Sequence, residues 1–225
     1  GQPATPAPRG AIEAAQWALE AEPLGYTEAF GLASLRARIA EFYRLRHGVA
    51  VDAERIVVTT GSSGGFVLSF LAAFDAGDRV ALADPSYPAY RNILLALGIE
   101  PVALPAELET RYQPSVELVE RAGGKLDGLI VASPSNPSGT MLDASELEAL
   151  ANYCHDRGIR LISDEIYHGI TYKCEAATAL TYDSQAVVIN SFSKYFSMTG
   201  WRIGWLVAPD DLIRSIECLK QNLFI

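Results

Sequence analysis

Short, near-continuous apolar runs recur along the chain and give way each time to segments with helical spacing. β-rich runs lie at 56–60, 79–83, 129–132, 160–163, 186–190 and 203–207. Helical stretches lie at 65–74, 89–97, 144–156 and 211–223. Strands that are apolar at successive positions need cover on both faces. The alternation therefore predicts an α/β fold of three layers, a mostly parallel sheet with helices on both faces. Ahead of it, residues 11–21 are helical in composition. Leu32, Leu35, Ile39, Phe42 and Leu45 then recur at helical spacing up to Gly48, which reads as a terminator. Pro3, Pro6 and Pro8 make residues 1–10 an extended N-terminal arm, leaving 11–225 as one large domain.

Composition narrows the partners. With 27 acidic against 18 basic side chains the net charge is −9, which argues against nucleic acid, a ligand that needs clustered Lys and Arg. No apolar run approaches the roughly 20 residues that cross a bilayer, so no membrane is expected. The opening GQPATPAPRG lacks the features of a signal peptide and has no Met, and is read as the start of a piece of a longer protein. Three cysteines are too few for a disulfide framework, and Cys154 shares a helical stripe with Leu147, Leu150 and Ala151 that reads as core. His47, His155 and His168 lack metal-site spacing, so no metal is expected. A cytoplasmic, reducing setting follows as an expectation.

In a parallel sheet, ligands gather at the carboxyl ends of the strands. After 56–60 comes GSSGG, where Ser62, Ser63 and free backbone N–H groups at a helix start suit a phosphate; a serine cap in a tight turn is the alternative. After 129–132 comes SPSNPSGT, which leaves Asn136 projecting from an irregular loop, though an ordinary turn uses the same residues. After 160–163 comes DEIY, completing the block SDEIY. Asp164 at the end of an apolar strand needs a positive partner or several donors, or is a helix cap. After 186–190 come Ser191, Ser193 and Lys194, with Arg202 downstream. A buried lysine can act as a Schiff-base nucleophile.

Taken in order, GSSGG, PSYPAY, SPSNPSGT, SDEIY and SFSKYFSMTGWRIG resemble the fold-type I pyridoxal-phosphate enzymes and, among them, the class I/II aminotransferases. The resemblance implies an aminotransferase with pyridoxal 5'-phosphate as cofactor, acting on an amino acid and a 2-oxo acid. Lys194 would form the aldimine and shuttle the proton. Asp164 would pair with the ring nitrogen, and Asn136 and Tyr167 with the phenolate oxygen. Tyr87 would stack on the ring, although the family often has Trp there. Ser62, Ser63, Ser191, Ser193 and Arg202 would take the phosphate. Tyr26, in LGYTEAFG, matches a tyrosine that reaches the neighbouring subunit's phosphate, which implies a homodimer; a core tyrosine is the alternative. Gly1 and Asn136 match substrate-side residues. The family continues into a smaller C-terminal domain whose arginine clamps the substrate carboxylate, so 1–225 reads as the large domain alone.

Two other functions remain open at this point. A β-elimination (C–S) lyase or a related synthase on the same fold would use the same cofactor residues. A regulator's sensor module would need an attached DNA-binding region, and nothing basic in 1–225 offers one.

Overall fold

The computed structural model describes residues 2–224. The apolar runs become strands β1 (Ile56–Thr59), β2 (Arg79–Asp84), β4 (Gly128–Ala132), β5 (Arg160–Asp164), β6 (Val187–Ser191) and β7 (Gly204–Val207). One further strand, β3 (Glu100–Pro105), has no counterpart in the sequence reading. It pairs with β2 alone, at the edge of a seven-stranded sheet of order β1-β7-β6-β5-β4-β2-β3. Its Pro101 and Pro105 mask the strand signal, and an edge is where proline is tolerated. Every pairing is parallel except those of β7, which runs antiparallel to both β1 and β6.

Side chains alternate across each strand and build one core on each face. Leu129, Val131, Leu161 and Val188 join Ile39 and Tyr43 of α2 (Ala33–His47). Leu147, Leu150, Ala151 and Cys154 of α6 (Ala144–Arg157) and Leu118 and Val119 of α5 (Val116–Arg121) complete that side. Ile130, Ile162, Val187 and Ile189 point the other way. There they meet Phe66 and Phe70 of α3 (Gly61–Ala73), Tyr90 and Leu94 of α4 (Pro88–Ala96), and Leu212 and Ile216 of α7 (Asp210–Leu223). The three layers are those the pattern predicts.

Three local differences have physical causes. α3 begins at Gly61, not at residue 65, so GSSGG forms its first turn. Glycines weaken a helix, but here they let it sit close to the sheet, since a Cβ on Gly65 would come 3.2 Å from Ile189. On α2 the buried face is Arg36, Ile39 and Tyr43, while Leu32 and Leu45 are exposed. The polar tips of that face are satisfied: Arg36 donates to the Gly31 and Ala53 carbonyls, and Tyr43 accepts from the Trp205 indole at 3.1 Å. The arm ends sooner than residue 10, because α1 (Arg9–Ala21) starts directly after Pro8; none of its residues is buried.

Candidate active site

The carboxyl ends of β1, β2, β4, β5 and β6 share one edge of the sheet. Because β7 is reversed, its beginning lies there too. A cleft of about 150 Å³ opens between them.

Asp164, the last residue of β5, lines the cleft and is 5% exposed. The Tyr90 hydroxyl donates to its Oδ2, and the Ile166 N–H donates to Oδ1 at 3.1 Å. Burial nevertheless raises its carboxyl to about 6, with the Tyr90 and Ile166 donors pulling the other way. Such a group favours a cation beside it. Tyr167, one turn further on, is half-buried, and Lys194 from the loop after β6 brings its Nζ to 6.0 Å from the Tyr167 ring centroid. Asn136 and Tyr87 border the same space, Tyr87 standing edge-on to Tyr90 at 5.5 Å.

At the other end of the cleft, Ser62 and Ser63 occupy the first turn of α3, where unpaired N–H groups and the helix dipole favour an anion. Arg202 arrives there from the segment before β7 in a left-handed conformation, φ 55°, and its guanidinium donates to the Thr199 carbonyl at 2.9 Å. Gly61 has φ 76°, and a Cβ on it would overlap that guanidinium. Gly204 is equally constrained, since its Cβ would lie 2.8 Å from the Asn190 carbonyl oxygen. Gly61 leaves the guanidinium room against the helix start, and Gly204 lets β7 lie against the Gly61–Ser62 backbone.

Most residues singled out from sequence line this one cleft: Ser62, Ser63, Tyr87, Asn136, Asp164, Tyr167, Ser193, Lys194 and Arg202. Ser191 is not among them; it is buried behind Ser193, its hydroxyl 2.7 Å from that of Ser193 and accepting the Ser193 N–H at 3.0 Å. Tyr26 is 94% exposed and stands outside the cleft. Gly1 lies outside the described residues. Sequence reading missed Tyr90, Ile166 and Thr199, which also line it. Tyr90 sits within the PSYPAY block, three residues after Tyr87, and that helical spacing was the available signal. The histidines and cysteines form no metal-holding group among the described residues, and no helix there is long and apolar enough to cross a membrane.

A lysine, a buried acid and a helix start with an arginine meet on one cleft at the strand ends of a mostly parallel sheet, a set that suits an anionic, nitrogen-bearing ligand. The whole of 1–225 matches the family model for aminotransferase class I and II, and the chain belongs to that family. It is 50% identical over 227 residues to the valine–pyruvate aminotransferase of Mycobacterium tuberculosis, covering all of this chain and 58% of that protein. The structure of an aminotransferase from Mycobacterium tuberculosis superposes with a TM-score of 0.96 at 50% identity, over 100% of this chain and 62% of that one. Thermus thermophilus aspartate aminotransferase with maleate superposes at 0.95 with 31% identity, over 99% and 59%. The chain thus spans about three-fifths of the length of these relatives.

The family uses pyridoxal phosphate. The donor set here fits it: a buried carboxylate for a ring cation, a helix start with Arg202 for a phosphate, and Lys194 between them.

Proposed function

We propose that the protein carrying this chain is an aminotransferase that moves an amino group between an amino acid and a 2-oxo acid, with pyridoxal phosphate held in the cleft described above. The observation that carries the reading is Asp164, a buried acid raised by its surroundings, on the same cleft as Lys194. When bound, the cofactor accepts the electron pair left as the substrate Cα–H bond breaks. Asp164 keeps the ring nitrogen protonated, and the Tyr90 hydroxyl holds that carboxylate in place. Asn136 and Tyr167 donate toward the phenolate oxygen. Tyr87 covers the ring, while Ser62, Ser63, Ser193 and Arg202 hold the phosphate, Arg202 through charge-assisted donors. Ser191 supports Ser193. Lys194 would be the residue that anchors the cofactor, and its amine would be placed to move the proton of the substrate α-carbon.

The 50% identity to a valine–pyruvate aminotransferase makes pyruvate the first 2-oxo acid to test. Incubating the complete polypeptide with cofactor, an amino acid and pyruvate should yield alanine; pyruvate and ammonia released from a substrate with a β-leaving group would instead mean elimination. Borohydride reduction of the loaded protein, followed by peptide mapping, should place the pyridoxyl group on Lys194, and a label on Lys125, Lys173 or Lys220 would reject the assignment. A homodimer completes the reading, with Tyr26 of one copy serving the phosphate site of the other. The 94% exposure of that side chain within a single copy supports it.

A further inference from the structure

On the α2 and α6 side of the sheet lies a set of ionisable groups that the chemistry above leaves unused. Glu165 and His168 follow Asp164 in the same turn and are 1% and 7% exposed. Glu165 Oε1 is well supplied, accepting from the Ser163 hydroxyl (3.2 Å), the Thr178 hydroxyl (2.9 Å) and the Ala179 N–H (2.9 Å). Oε2 makes no hydrogen bond, and neither does His168 Nδ1, yet these atoms lie 3.4 Å apart. His47 Nε2, from α2, is the other buried side-chain polar atom without a hydrogen bond among the described residues, and the two imidazole centroids are 5.4 Å apart. Buried polar atoms are nearly all satisfied in folded proteins, so three together require a cause.

Proton counting supplies one. His168 Nε2 lies 3.1 Å from the Ser133 carbonyl oxygen, which can only accept, so Nε2 carries a hydrogen. A neutral ring then has a lone pair at Nδ1. An ionised Glu165 would set a second lone pair against it in a buried site, whereas one more proton between them turns the conflict into a hydrogen bond and leaves the pair uncharged. We propose that Glu165 and His168 share one buried proton, and that the pair is a positioning unit, tying the Ser133 carbonyl and the Asn136 loop beyond it to the Asp164–Tyr167 turn. The positioning half rests on the cofactor reading above.

The neighbours agree in sign. Burial raises Glu165 to about 7 and lowers His168 to about 4, so the shared proton belongs on the carboxyl oxygen. On α2, burial lowers His47 as well and raises Tyr43, so the groups facing the pair favour their uncharged forms. Arg46 and Glu175 act on His168 in opposite directions. Asp164, next along the chain, is pushed up chiefly by its own burial, and a neutral Glu165 sets no second charge beside it.

Nitrogen-15 NMR of the His168 ring in the complete, cofactor-free polypeptide tests the shared proton, with His168→Gln supplying the assignment. Between about pH 5 and 6, where a solvated histidine is mostly doubly protonated, the ring should be neutral, with hydrogen on Nε2 and a hydrogen-bonded Nδ1. A doubly protonated ring there, or a bare lone pair at Nδ1, would overturn the proposal whatever the enzyme does. Positioning is tested by affinity and spectrum. Glu165→Gln retains an N–H to face Nδ1 and should bind pyridoxal phosphate within about threefold of wild type. Glu165→Ala should bind it roughly tenfold or more weakly, as one buried unpaired group predicts, and displace the pH midpoint of the bound cofactor's absorbance. Equal affinities and midpoints in the two variants would reject the positioning role. A cofactor label away from Lys194 would reject the functional reading and leave the NMR result intact.

Discussion

Asp164 is held in a tension that a ligand would relieve. Its carboxyl ionises only at about 6 in the ligand-free chain because burial disfavours its charge. Below about pH 4 folded and unfolded chains both keep the proton. Between about 4 and 6 only the folded chain does, so stability falls as pH rises. Above about 6 the full cost, on the order of 3 kcal/mol, is present. Cofactor-free Asp164→Asn should therefore match wild type in urea unfolding at pH 4 and exceed it at pH 7, while losing most of its α-proton abstraction when loaded. Tyr90→Phe removes the hydroxyl donor to that carboxylate and should weaken cofactor binding about tenfold by fluorescence titration, the worth of one charge-assisted hydrogen bond. Lys194, Asp164, Asn136 and Arg202 were legible in the sequence because each sits in a polar block directly bordering an apolar run. Tyr90, Glu165 and His168 were not: a tyrosine in a helical stretch, or a Glu and His beside a stronger candidate, shows its partner only once the chain is folded.

Among the elements, α3 and β7 depend on each other through glycine. Gly61 opens α3 at φ 76° under the Arg202 guanidinium, and Gly204 opens β7 with room for no side chain between Asn190 and Gly61. Gly61→Ala should displace the guanidinium and weaken binding of inorganic phosphate and of cofactor by about tenfold or more, measured by calorimetry; unchanged affinity for both would mean that Arg202 does not serve the anion. The helix pattern was readable wherever apolar residues marked one face, as on α6. There the Asp143–Glu146 capping box and the left-handed Gly158 fix both ends by local chemistry. Where glycine or proline served packing instead of punctuation, as at the start of α3 and along β3, local propensity pointed away from the element that formed.

For the whole molecule, strand existence was readable but strand order was not, because pairing is decided between segments far apart in sequence. Nothing in residues 203–207 announces that β7 is reversed. The outer surface carries the next prediction: Trp17, Leu19, Leu24 and Tyr26 are 62%, 68%, 69% and 94% exposed, a concentration of apolar side chains that suits cover by another copy. The complete polypeptide should sediment as a dimer at micromolar concentration, and Tyr26→Phe should lower its cofactor affinity; a monomer that binds cofactor with full strength would contradict the shared site. The reversal of β7 also sets how the chain reaches the cleft a second time. A parallel strand would return through a crossover helix of a dozen residues or more before reaching the same edge. Here the chain turns straight back, and the segment from Lys194 to Arg202 is set like a pair of callipers, its jaws being the proposed covalent anchor and the proposed anion anchor, both on the cleft. Lengthening that segment by one residue would reset the gap between the jaws, so the span of any ligand gripped at both ends is gauged by the chain itself.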